Sequence, residues 1–150
     1  MIRALAFVAL FAVAAHAAHA AEPAIVAEEI APPAGATAGS STITMSPEGT
    51  AWLTWLETAE DKAVSLRFST FDVAAKRWSA ARTIARSADL HAGASDVPTL
   101  TVGKAGRATA LWYIKNPPSP ATAHLHHGAG YHAVTSSTRD GGATWSAPAR

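Results

Sequence analysis

Ser137-Thr138-Arg139-Asp140-Gly141-Gly142-Ala143-Thr144-Trp145-Ser146 is the stretch whose residue types and spacing demand one particular local structure. Asp140 is followed by two glycines, and Asp-Gly is a strong signal for a tight turn that needs positive φ. A turn aspartate accepts hydrogen bonds from backbone N–H groups just ahead of it, which holds the loop closed. Thr144 and Trp145 then resume extended chain, and the indole brings a large apolar surface to bury. The segment reads as a hairpin turn fastened from within.

Most of the chain reads as two rounds of one pattern. Thr42-Ile43-Thr44-Met45, the turn Ser46-Pro47-Glu48-Gly49 and the strand Ala51 to Leu56 form the first hairpin. Thr99-Leu100-Thr101-Val102, Gly103-Lys104-Ala105-Gly106 and Ala108 to Ile114 repeat it. Gly49 then meets Gly106 and Trp55 meets Trp112, an offset of 57 residues in both cases. Ala63 to Phe68 and Tyr131 to Ser136 are the third strands, and Trp78-Ser79-Ala80 matches Trp145-Ser146-Ala147. Setting Asp72 against Asp140 leaves the first copy one residue longer before its tryptophan, without the glycine or the threonine. It reads as a degenerate copy of the turn. A period of this length points to propeller blades or a related array, and the competing arrangement is an ordinary antiparallel sandwich. Trp52-Leu53-Thr54-Trp55-Leu56 is apolar on both faces, as in a sheet covered on each side.

The signature Ser/Thr-x-Asp-x-Gly-x-Thr-Trp is met by Thr138, Asp140, Gly142, Thr144 and Trp145. It resembles the Asp-box, or bacterial neuraminidase repeat, of sialidase-like β-propellers. The resemblance covers about residues 41–150. It implies an all-β propeller fold in which the box is a structural hairpin between the last two strands of a blade, away from the active site. The expected organisation is a signal peptide over 1–20, a Pro/Ala/Gly-rich linker over 21–40, a first blade over 41–96 and a second over 97–150. The second blade ends in a short strand that starts at Ser146. Propellers close with roughly 4–8 blades, so two predict the N-terminal part of a longer chain, or copies assembling into a ring. Each uncovered blade face is expected to be a large apolar patch.

The N-terminus carries Arg3, an unbroken apolar run from Ala4 to Ala15, and small residues at Ala18 and Ala20. This is the pattern of a secretory signal peptide; a membrane anchor needs about 20 apolar residues. The protein is therefore expected to be exported, to periplasm or medium, with no membrane span after cleavage. There is no cysteine, so neither a disulfide nor a lipoprotein anchor is available. Only one of the 12 basic residues and none of the 11 acidic ones lies in the leader, so the mature chain is neutral. A neutral exported chain is poorly suited to nucleic acid or an anionic membrane surface. Within the linker, Ile25-Val26 and Ile30 could make a short strand, against which Pro23, Pro32 and Pro33 argue.

The resemblance implies a sialidase-type glycoside hydrolase or a non-catalytic relative binding a glycan or an envelope protein. Sialidases clamp the substrate carboxylate with three arginines, a bidentate task that suits guanidinium. They use a tyrosine nucleophile paired with glutamate. The family's Arg-Ile-Pro motif is missing, and between the leader and Arg67 there is no arginine. Arg67 and Arg107 match no catalytic position, Tyr113 and Tyr131 lack an evident partner glutamate, and no catalytic residue or cofactor is assigned. His124-Leu125-His126-His127, with His132 nearby, is the remaining cluster. On extended chain His124 and His126 share a face and could hold zinc or copper. They follow a Pro-rich stretch and precede two glycines, which also describes a solvated loop.

Overall fold

The computed structural model describes residues 25–93, 96–120 and 130–150. The signal segment and His124, His126 and His127 lie outside the described residues. The described chain is all-β and antiparallel throughout, and none of its residues is helical. No helix among them is long and apolar enough to cross a membrane.

The first sheet contains β1 (Ala38–Met45), β2 (Ala51–Thr58), β3 (Val64–Asp72), β4 (Arg77–Trp78) and β5 (Arg82–Ser87). The order is β1-β2-β3, and both β4 and β5 pair with β3, so the outer strand is interrupted at residues 79–81. β1 starts inside the stretch read as linker. The second sheet is β6 (Thr99–Val102), β7 (Ala108–Lys115) and β8 (Tyr131–Thr138), in that order. Its expected last strand is reduced to a bridge between Ala149 and Thr135 and a bond from Ser146 N–H to the Ser137 carbonyl.

The two sheets share one register. Thr42 pairs with Thr54 and Met45 with Ala51; Thr99 pairs with Leu111 and Val102 with Ala108, all displaced by 57. In the next hairpins Trp52 pairs with Thr70 and Thr109 with Ser137, so the later strand is displaced by 67. The difference of ten residues lies in the β7–β8 connection, which is longer than the turn between β2 and β3. The same shift carries Ser69, Thr70 and Ser79 onto Ser136, Ser137 and Ser146. Ser79 Oγ accepts Thr70 N–H at 3.1 Å, and Ser146 Oγ accepts Ser137 N–H at 3.1 Å. Ser69 and Ser136 each donate to the Ser79 or Ser146 carbonyl at 2.7 Å. This register corrects the alignment made from sequence. Asp72 stands at the position of Arg139, Val73 stands at that of Asp140, and no extra residue precedes Trp78.

Side chains alternate across a strand, which gives each sheet a forward and a rear face. On the first sheet's forward face, Trp52, Leu56, Val64, Leu66 and Phe68 are buried. They meet the second sheet's rear face, where Leu100, Val102, Ala108, Ala110, Trp112 and Val134 are buried. Thr42 and Thr44 fasten the two by donating to the carbonyls of Pro98, at 3.2 Å, and Leu100, at 2.9 Å. Unlike faces therefore meet, forward on rear.

The outer faces are not the pair of large apolar patches expected. On the first sheet's rear face Ile43 and Met45 are exposed, but Trp55 is only 1% exposed. Arg67 pairs with Glu57 at 2.9 Å, and the Trp55 indole N–H donates to the same carboxylate. Pro32, Ala34 and Gly35 of the lead-in line a hollow with Leu53 and Trp55. The second sheet's forward face is polar toward the turn end, where Thr101, Thr109 and Ser137 are exposed, and carries Leu111, Tyr113 and Tyr131 toward the loop end.

Candidate functional site

Strand order divides the connections between two ends of the molecule. The turn end holds 46–50, 103–107, 72–77 and 139–144. The loop end holds the β2–β3 turn, residues 88–98 and the long β7–β8 connection.

At the turn end, Thr138, Asp140, Gly142, Thr144 and Trp145 come together as one fastened loop. Asp140 Oδ1 accepts the Thr138 hydroxyl at 2.6 Å and the Thr144 N–H at 3.0 Å, and Oδ2 accepts the Thr144 hydroxyl. Thr138 Oγ1 accepts the N–H groups of Asp140 and Gly142. With so many donors on it, the carboxylate is held ionised, its pKa far below the usual range; the Thr138 and Thr144 hydroxyls contribute most. The loop also docks on the other sheet. Gly142 has φ +80, and a Cβ there would lie 2.3 Å from the Phe68 ring. Phe68 is fully buried between Trp52, stacked at 5.3 Å, and Trp145, edge-on at 5.7 Å. Arg82 covers the Phe68 ring at 4.5 Å and donates to the Gly141 carbonyl. Thr138, Asp140 and Thr144 are engaged in closing the loop, whereas the Arg139 guanidinium has no partner among the described residues and the buried Trp145 indole N–H has none either.

The loop end gathers a different set. Asp96 Oδ2 lies 3.0 Å from His91 Nε2, and Asp96 Oδ1 accepts the Tyr131 hydroxyl at 3.2 Å. His91 stacks on Tyr131 with ring centres 4.5 Å apart, and Tyr113 meets Tyr131 edge-on at 5.3 Å. Backbone bonds hold the loop against β7: His91 N–H donates to the Tyr113 carbonyl and Lys115 N–H to that of Asp89. Leu90, fully buried, anchors it. His132 Nδ1 lies 2.7 Å from Asn116 Oδ1 and 3.4 Å from the Arg150 guanidinium.

Hydrogen bonding to Asp96, and then the charge of that carboxylate, raise the Tyr131 pKa above its ordinary value. Tyr131 thus has a carboxylate partner, Asp96, that sequence reading missed, and a hydroxyl beside a base is the pairing through which nucleophiles are activated. Arg67 is spent on Glu57, and Arg107 sits at the opposite end. No arginine triad converges on Tyr131 among the described residues. Nor do three or more His, Asp or Glu side chains among them form a group able to hold a metal ion.

No signal local to residues 91–96 marks the site. Asp96 and Tyr131 are 35 residues apart and meet only because β5 returns to β6 beside the β7–β8 hairpin. Compared with known proteins, the chain matches no family model, and no curated protein sequence is significantly similar to it.

Proposed function

We propose that this is an exported, sialidase-like Asp-box propeller protein whose loop end binds a glycan without hydrolysing it. The propeller reading is supported by the identical register of the two sheets and by their forward-on-rear stacking. Forward-on-rear contact is how a translated repeat packs on its neighbour. The fastened loop at Asp140 fits the structural role that the resemblance gives it.

One observation carries the functional reading. Tyr131 is 45% exposed, and its ring is held by His91, Tyr113 and Asp96. A fixed aromatic ring beside a carboxylate and an imidazole offers a sugar both an apolar platform and hydrogen-bond partners. Among the described residues no arginine triad converges on Tyr131, which favours binding over sialidase-type turnover.

Glycan-array screening followed by titration calorimetry tests the proposal. Binding is expected, weakened about tenfold by Tyr131→Ala through loss of the stacked ring and only slightly by Tyr131→Phe. No turnover of a fluorogenic sialoside is expected. Turnover abolished by Tyr131→Phe would replace binding with catalysis, and unaltered glycan affinity in Tyr131→Ala would remove the site.

A further inference from the structure

The forward faces of the two sheets differ at nearly every equivalent position. Trp52, Leu66 and Phe68 bury the second sheet, whereas the same positions on the second sheet carry Thr109, Ala133 and Thr135. Toward the turn end this leaves a polar surface, while Leu111, Tyr113 and Tyr131 lie toward the loop end. Register sets Thr101, Thr109 and Ser137 side by side across three strands, and the Thr109 and Ser137 hydroxyls lie 2.9 Å apart. With strands about 4.8 Å apart, the row spans about 10 Å.

Arg107 and Arg139 flank this row at the turn end, each one residue beyond the Ala108–Thr138 pair. By alternation they share the face of Thr109 and Ser137, and all five side chains line one open groove of about 340 Å³. Like charges opposed across an antiparallel pair repel. Among the described residues Arg67 is matched to Glu57, Arg86 to Asp61 and Arg82 to the Gly141 carbonyl, while Arg77 on the first sheet's turn is unmatched. Among the described residues Arg107 and Arg139 have no such partner. Asp140, next in sequence, has both oxygens occupied by Thr138 and Thr144. The first sheet has Thr50 and Asp72 at the equivalent positions, so the fold itself does not require the pair.

We propose that Arg107 and Arg139 clamp the anionic group of an acidic polysaccharide, a uronate carboxylate or a sulfate ester. The Thr101–Thr109–Ser137 row holds hydroxyls of the adjoining sugars. Two guanidinium groups present paired N–H donors to such an anion, and its charge relieves their repulsion. The hydroxyl row, which both donates and accepts, selects a polyhydroxylated chain over a simple anion. This site is at the opposite end from Tyr131 and does not depend on the reading given to that residue.

Titration of the full chain with oligogalacturonate, dextran sulfate and neutral dextran tests the clamp. Binding to one or both acidic polymers and not to neutral dextran is expected, and the pair of acidic arms identifies the anion. Arg107→Ala/Arg139→Ala should weaken that binding at least about tenfold, as loss of charge-assisted hydrogen bonds implies. Both side chains are exposed, so melting should be unchanged. Lys76→Ala/Arg77→Ala removes the same charge from the first sheet's turn and should leave affinity intact. Equal weakening by both double variants would reduce the effect to general charge attraction and overturn the clamp. So would binding of neutral dextran as strong as that of the acidic polymers, or failure to bind either acidic polymer at low salt, where exposed charges attract most.

Discussion

Two turns close the third strands of this molecule, one at 72–77 and one at 139–144, and they do so by different means. They are equal in length, they are flanked by matching serine clamps, and both lead into a tryptophan followed by serine. Only the second has an aspartate placed to bind two threonines, and only there does the chain turn left-handed at glycines, Gly141 and Gly142. In the first, Asp72 accepts a single N–H from Ala75, and the left-handed residue is Lys76, with φ 49. The second turn packs on Phe68 of the neighbouring sheet, whereas the first exposes Val73. Fastening is thus found where a turn must also serve as a contact surface.

Gly142→Ala puts that link to its hardest test. The substitution forces a left-handed alanine and drives its Cβ into a buried ring that is packed on three sides. A loss of about 2–4 kcal/mol is expected, combining the left-handed penalty with overpacking. Urea unfolding measures it. The equivalent position in the first turn is already alanine, at Ala75, and Ala75→Gly should change stability by less than about 1 kcal/mol. Comparable effects at the two sites would separate fastening from docking.

Asp140→Ala should cost less, and its cost should depend on pH. The carboxyl pKa is depressed in the fold, so its stabilisation is complete above the unfolded value of about 3.9 and is lost as pH falls through the folded value. The gap in urea midpoint between variant and wild type should therefore hold from pH 7 to pH 5 and narrow only below about pH 4. A gap that closed near neutrality would assign the effect to another group.

What could be read from sequence divides along the same line. The Asp140 loop was legible because its donors and acceptor lie within seven residues, so spacing alone specifies the geometry. Matching the first turn by Asp72 shifts it by one residue, because the register is set by Ser69, Thr70 and Ser79. Those are bonds between strands, which spacing does not report. Trp55 and Trp112 were correctly matched, but the cover over Trp55 comes from Arg67, Glu57 and the lead-in, all brought there by the fold. The polar forward face was written in the alternation of Thr99 with Thr101 and of Thr135 with Ser137. Only the register shows that these alternations lie on one side. The His91–Asp96–Tyr131 cluster had no local signature at all.

The smallest effect distinguishes the outer strands. Ser79 and Ser146 make the same bonds, so Ser79→Ala and Ser146→Ala should each cost about 1 kcal/mol, the typical net value of a hydrogen bond. The two sites lie on different sheets, and their costs should add. Local opening should nonetheless differ. After Ser79 the first sheet regains a ladder, with Arg82 paired to Phe68 and Ser87 to Val64. After Ser146 the second sheet has only the Ala149–Thr135 bridge. Hydrogen exchange should then show the Ala149 amide losing protection in Ser146→Ala, while protection in β5 survives Ser79→Ala. Retained protection at Ala149 would mean that Trp145, through its contact with Phe68, and not the serine clamp, holds the end of the chain in place.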